Sequence, residues 1–168
     1  MCKKSAHFRQ GSMINSQPQA PKHVKLIENM EPSRPKLSLM RIQLQTMVRS
    51  LGTDFEAQQR KLNSLLIDFY QRMNDDLLIG FFFQGKDLQH IAHQQTQFLL
   101  NAAGMIEKFE GKGPHSAHME MPPILDGHFD RRLVLLRETL KAHEVPEHMI
   151  ELWISFESTF RNVVVSKN

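Results

Sequence analysis

The sequence predicts an all-α fold. Apolar residues recur at three- and four-residue steps along most of the chain, no segment alternates with period two for long, and glycines and prolines fall between the apolar stripes. A length of 168 residues suggests about one domain, and a hydrophobic content of 40% is enough for one core if those residues cluster.

Residues 1–36 hold Pro18, Pro21, Pro32 and Pro35, many Gln and Ser, and few large apolar side chains. Such a segment cannot bury enough surface to offset its ordering entropy, so a disordered leader is expected. Its seven Lys and Arg against two Glu give +5, whereas residues 37–168 carry a net −2. The basic balance therefore belongs to the leader, and no nucleic-acid-binding face is expected in the folded part.

Residues 37–52 read as an extra amphipathic helix, with Leu37, Met40, Leu44, Met47, Val48 and Leu51 on one stripe between Pro35 and Gly52. A second helix follows Asp54, a candidate N-cap, and carries Leu62, Leu65, Leu66, Phe69 and Met73 inward. Phe81-Phe82-Phe83, closed by Gly85, reads as a short buried corner, since no partner strand is visible. A third helix is expected from about Asp87 to Ala103, burying Leu88, Ile91, Ala92, Phe98, Leu99 and Ala102. Gly104, Gly111, Gly113 and Pro114 open a long connection that Pro122-Pro123 and Gly127 extend. Two last helices are expected, one from Phe129 to about Ala142 and one from Pro146, with Met149, Ile150, Trp153, Phe156, Phe160 and Val164 inward.

Several classes of chemistry are excluded. A single cysteine, Cys2, makes no disulfide framework or cysteine zinc site within one chain. No run of about 20 apolar residues is present, so no membrane span is expected. No apolar core of a secretory signal follows the N-terminal lysines, and a cytoplasmic location is expected. No glycine-rich phosphate loop, calcium loop or Ser/His/Asp order stands out.

Three polar residues sit where the helical pattern asks for apolar ones: Tyr70 beside Phe69, Gln95 on the face of Leu88, Ile91 and Phe98, and Arg132 on the stripe of Phe129 and Leu136. Buried polar groups need partners, so they either converge on one polar ligand or are satisfied locally. Among nine histidines, His118 differs from the rest. It follows the glycine-rich connection, and Met119 and Met121 suggest an apolar setting in which an imidazole could ligate iron. His128 could cap the helix after it, and His115, His143 and His148 look solvent-facing.

These features in order resemble the truncated haemoglobins, short globins with a two-over-two helical sandwich. The resemblance covers about residues 53–168. Asp68-Phe69-Tyr70-Gln71-Arg72, then Asp75-Asp76-Leu77-Leu78 and Phe82-Phe83, is similar to the family's FY-x-R … D-x-L … FF block. Gln95 through Phe98-Leu99 to Ala103-Gly104 is similar to its next helix and turn. His118-Met119-Glu120-Met121-Pro122-Pro123 followed by His128-Phe129-Asp130 resembles the proximal-histidine segment, and Val145-Pro146-Glu147 the start of the last helix.

The resemblance implies a haem b cofactor with His118 as the proximal iron ligand, its other ring nitrogen donating to a backbone carbonyl. It implies a pocket formed by Tyr70, Phe82, Phe83, Ile91, Gln95, Phe98, Leu99, Phe109 and Arg132. In it Phe83 wedges the porphyrin, Tyr70 and Gln95 are distal hydrogen-bond donors, and Phe98, Leu99 and Phe109 line the apolar sides. Arginine at position 132 departs from the tryptophan or aliphatic residue often found there, and Ile91 is an apolar residue at the pocket mouth. The implied function is reversible binding and transport of dioxygen, with nitric oxide and carbon monoxide as other ligands. Nitric oxide dioxygenation or peroxide chemistry, which needs an external reductase, is one alternative. A gas sensor that uses helix 37–51 to dimerise or signal is another.

Overall fold

The computed structural model describes residues 34–166, so the leader expected at 1–36 lies outside them as far as residue 33; the helix expected at 37–52 starts earlier, at Arg34, and ends at Arg49. The described residues form helices and turns without a strand. In chain order the helices are α1 (Arg34–Arg49), α2 (Phe55–Asp75), α3 (Leu88–Ala102), α4 (Pro114–His118), α5 (Asp126–Ala142), α6 (Glu147–Ser158) and α7 (Arg161–Val164), with a 3-10 turn at Gly80–Phe82.

Helix α2 starts where its cap predicts. The Asp54 carboxylate accepts from the Ala57 backbone N–H at 2.9 Å, satisfying one of the orphan donors of the first turn. Its inward stripe of Leu62, Leu65, Leu66, Phe69 and Met73 is buried throughout. Helix α3 is capped in the same way, by Asp87 on the His90 N–H.

Two helix pairs make the domain. Helix α2 packs on α3, α5 packs on α6, and α2 also packs on α5 to join the pairs. Trp153, Phe69 and Phe129 are the largest side chains fully enclosed in this core. At the α5–α6 corner Arg137 reaches Glu147 and Glu151, both on α6.

Helix α1 packs against α2, α3 and α6, with Leu44, Met47 and Val48 buried under it. The turn after α3 is fitted to it. Gly104 is in the left-handed region at φ +69°, and a Cβ there would run into the Arg41 guanidinium.

The phenylalanine corner is only partly buried. Phe82 is enclosed, Phe83 half-buried and Phe81 exposed, because a 3-10 turn points its three side chains in three directions. The turn is fixed by Asp76, whose carboxylate accepts from the Leu78 and Ile79 N–H groups and pairs with Arg131 of α5 at 2.7 Å. Leu77 in the same turn is fully exposed.

Three sequence expectations need correction. Helix α5 begins at Asp126 rather than Phe129, so His128 lies inside its first turn. It still acts as a cap, its Nδ1 accepting from the Leu125 N–H at 3.2 Å. His143 is not solvent-facing but donates to Asp68 on α2 at 3.1 Å. Met119 is 68% exposed, so the apolar setting of its segment comes from elsewhere.

Candidate functional site

One cavity of about 590 Å³ opens among α2, α3, α4, α5 and α6. That volume falls in the range of small-molecule and cofactor sites, roughly 300–1,000 Å³. Its walls are largely aromatic. Phe83 meets the Tyr70 ring edge-on at 5.9 Å, and Phe98 meets both Phe109 and Phe160 edge-on within 6 Å.

His118 lines this cavity from the end of α4. Pro114 at the first helical position presets the short helix and leaves its carbonyl one turn below the imidazole. His118 Nδ1 donates to that carbonyl at 2.6 Å, which fixes the tautomer and places the lone pair on Nε2. Nε2 has no hydrogen-bond partner among the described residues. Burial lowers the His118 pKa, against the pull of the Pro114 carbonyl and with a further push from Arg132, so the ring is held neutral. A neutral imidazole with a fixed, free nitrogen is the form that binds a metal.

The segment around His118 is pinned from both sides. Helix α4 packs on α7. Just before α5, Ile124 exchanges two hydrogen bonds with Ser166, its N–H donating to the hydroxyl at 3.0 Å and its carbonyl accepting from the Ser166 N–H at 2.9 Å.

The polar side of the cavity is built from three other helices. Tyr70 on α2 donates to Gln95 Oε1 on α3 at 3.4 Å. The Gln95 amide donates through Nε2 to Glu157 Oε1 on α6 at 3.2 Å. Glu157 pairs with Arg132 of α5 at 3.0 Å and accepts from the Trp153 indole N–H at 3.4 Å. Arg132 also sits near Tyr70, whose hydroxyl interacts electrostatically with it, and lies over the Phe69 ring at 5.3 Å. Burial pushes the Tyr70 hydroxyl up to about 12. Burial alone would lower the Arg132 pKa, but Glu157 and Tyr70 raise it. Both groups therefore keep their protons at neutral pH and remain hydrogen-bond donors.

Of the residues expected at the site, Tyr70, Phe82, Phe83, Ile91, Gln95, Phe98, Phe109, Arg132 and His118 all line this cavity. Leu99 does not. It is fully buried and faces the helix core, since one residue beyond Phe98 turns a helix by about 100°. Glu157 was missed. Its signal in the sequence was a carboxylate one turn after Trp153 on the inward stripe of the last long helix, which is also the partner a buried Arg132 requires.

No family model matches the chain. Curated relatives do. A group 1 truncated haemoglobin of Tetrahymena pyriformis is 33% identical over 82 residues, spanning 49% of this chain and 67% of that protein. The group 1 truncated haemoglobin GlbN of Synechocystis is 36% identical over 85 residues, spanning 49% and 68%. The chain belongs to the truncated haemoglobin family.

Solved structures of the family agree on the fold. Two crystal structures of the Tetrahymena pyriformis truncated haemoglobin superpose with TM-scores of 0.62 and 0.58, each at 26% identity. The first covers 73% of this chain and 99% of that one, the second 64% and 92%. Both are Fe(III) forms, one of a glutamine-to-glutamate variant and one of a tyrosine-to-phenylalanine variant. The all-α sandwich of α2, α3, α5 and α6 is thus the truncated haemoglobin fold, with α1 placed before it.

The residues present fit a haem. Aromatic walls suit a flat apolar macrocycle, and an imidazole with a free nitrogen is the kind of side chain that would hold its iron. Among the described residues no group of three His, Cys, Asp or Glu is placed to hold a metal ion by itself. Lys86 and Lys112 at the cavity wall are cations of the kind that suit acidic substituents on such a ligand. Among the described residues no helix is long and apolar enough to cross a membrane.

Proposed function

We propose that this chain is a haem b protein that binds dioxygen reversibly, with nitric oxide and carbon monoxide as further ligands. The observation that carries the reading is one cavity holding both a tautomer-fixed His118 with a free Nε2 and a Tyr70–Gln95 hydroxyl–amide pair. Haem bound there supplies an iron with an open position at which a diatomic gas binds.

The protein's own residues do the rest. His118, aimed by the Pro114 carbonyl, is the proximal ligand. Phe83, Phe98 and Phe109 exclude water from the apolar sides of the pocket. Tyr70 stays protonated and offers its hydroxyl hydrogen to a ligand that gains negative charge on binding, and Gln95 lies beside it. Charge-assisted hydrogen bonds of this kind are worth about 1.5–3 kcal/mol each.

The test is the dioxygen equilibrium and dissociation rate of the haem-loaded, reduced chain against Tyr70→Phe. Reversible oxygenation that Tyr70→Phe weakens supports the reading. A chain that takes up haem but is oxidised at once by dioxygen, without a reversible adduct, refutes it.

A further inference from the structure

Glu157 is a carboxylate with 4% exposure at the wall of the cavity, and nothing in the expected ligand chemistry uses it. It is nonetheless fully engaged. Arg132, Gln95 and Trp153 each bring it an N–H from a different place in the fold: α5, α3 and one turn back on α6.

The chemistry of these groups fixes the direction of the whole chain of bonds. An ionised carboxylate only accepts, so Gln95 must turn its N–H₂ toward Glu157. The amide oxygen is then left facing Tyr70, whose hydroxyl has to donate to it. Without an acceptor at position 157, the Gln95 amide has no reason to prefer this orientation over the flipped one. The flipped amide would present N–H₂ to Tyr70 and change which atom donates into the pocket.

We infer that Glu157 is a positioning residue, which latches the Gln95 amide with its oxygen toward Tyr70 and so leaves the Tyr70 hydroxyl as the movable donor of the pocket. The bond lengths agree with that division. The Gln95–Glu157 link is charge-assisted at 3.2 Å, whereas the Tyr70–Gln95 link is neutral and longer at 3.4 Å. The weaker bond is the one a ligand can replace. Arg132 neutralises the latch, so the carboxylate enters the wall without adding net charge.

This inference rests on the haem reading, and its test separates the two. The haem-loaded, reduced full-length chain is saturated with carbon monoxide, and the infrared C–O stretch reports the polarity of the pocket. Single substitutions would leave an unpaired buried charge, so two double variants are compared. Arg132→Leu/Glu157→Gln keeps an acceptor for the Gln95 amide, and Arg132→Leu/Glu157→Leu removes it. The expected result is one dominant band in the natural chain and in the glutamine variant, and a split or displaced band in the leucine variant. Gln95→Leu in the Arg132→Leu/Glu157→Leu background should collapse the split. The Gln95 side-chain amide ¹⁵N–¹H signals should follow the same order, slow to exchange where the acceptor is kept and fast where it is lost. Identical spectra for the two double variants overturn the latch while leaving the haem reading intact. A chain with no Soret band after haem addition overturns the reading itself, and the latch with it.

Discussion

Arg132 on α5 and Glu157 on α6 meet at 3.0 Å inside the wall of the cavity, where Gln95 and Trp153 both donate to Glu157 and Gln95 accepts from Tyr70. The pair joins the two helices of one layer and reaches through Gln95 to the other.

Its stability signature should be strongly non-additive. Removing either partner leaves a buried charge alone, which costs about 3–5 kcal/mol, whereas replacing both with apolar groups of similar volume is often near neutral. Chemical denaturation of Arg132→Leu, Glu157→Leu and the double variant should show two unstable single variants and a double variant that loses clearly less than their sum, its remaining loss coming from the Gln95 and Trp153 N–H groups left without an acceptor. Additive losses would mean that the pair is not a coupled unit.

The proposed role of Tyr70 as donor to the bound gas has a kinetic consequence. Losing one charge-assisted hydrogen bond of about 1.5–3 kcal/mol corresponds to a roughly 10- to 150-fold faster dissociation of dioxygen. Stopped-flow displacement of dioxygen by carbon monoxide in Tyr70→Phe measures it. A change of less than about threefold would assign retention to another group.

The corner beside the pocket should be acid-labile. The Arg131 guanidinium against Asp76 holds that carboxyl below the usual carboxylate range. The folded value is lower than the unfolded one, so the stabilisation is complete above about pH 4 and is lost as pH falls through the folded value. Asp76→Asn should therefore be less stable than the parent at neutral pH and lose less between about pH 4 and pH 2, as read from urea midpoints along the acid limb. Parallel acid limbs for the two proteins would remove Asp76 from the explanation.

Glu144, between α5 and α6, is a non-glycine residue in the left-handed region at φ 57°. Its N–H donates to Lys141 and that of Val145 to Leu140, closing the end of α5. Glu144→Gly should raise stability by about 1 kcal/mol, because glycine adopts this conformation without the steric cost of a Cβ. A lower thermal midpoint in this variant would contradict it.

The helices were legible in the sequence where one face was continuously apolar. The stripe Leu62, Leu65, Leu66, Phe69, Met73 identifies α2, and Asp54 marks its start. The boundary of α5 was less legible, since Asp126-Gly127-His128 carries no apolar periodicity and the helix is started by a histidine cap. At the cavity, Tyr70, Gln95 and Arg132 were visible as polar residues on apolar faces. Their partner Glu157 shows only as a carboxylate on an inward stripe, and its pairing with Arg132 across 25 residues of chain leaves no local pattern. The contact between His143 and Asp68 was hidden for the same reason.

His118 is the proposed protein ligand to haem iron, and the visible absorption spectrum of the reduced, haem-loaded chain reports that bond. The natural sequence should give the spectrum of a histidine-ligated five-coordinate ferrous haem. His118→Ala should lose it and recover it when free imidazole is added. An unchanged ferrous spectrum in His118→Ala would contradict the assignment and place the iron on another side chain.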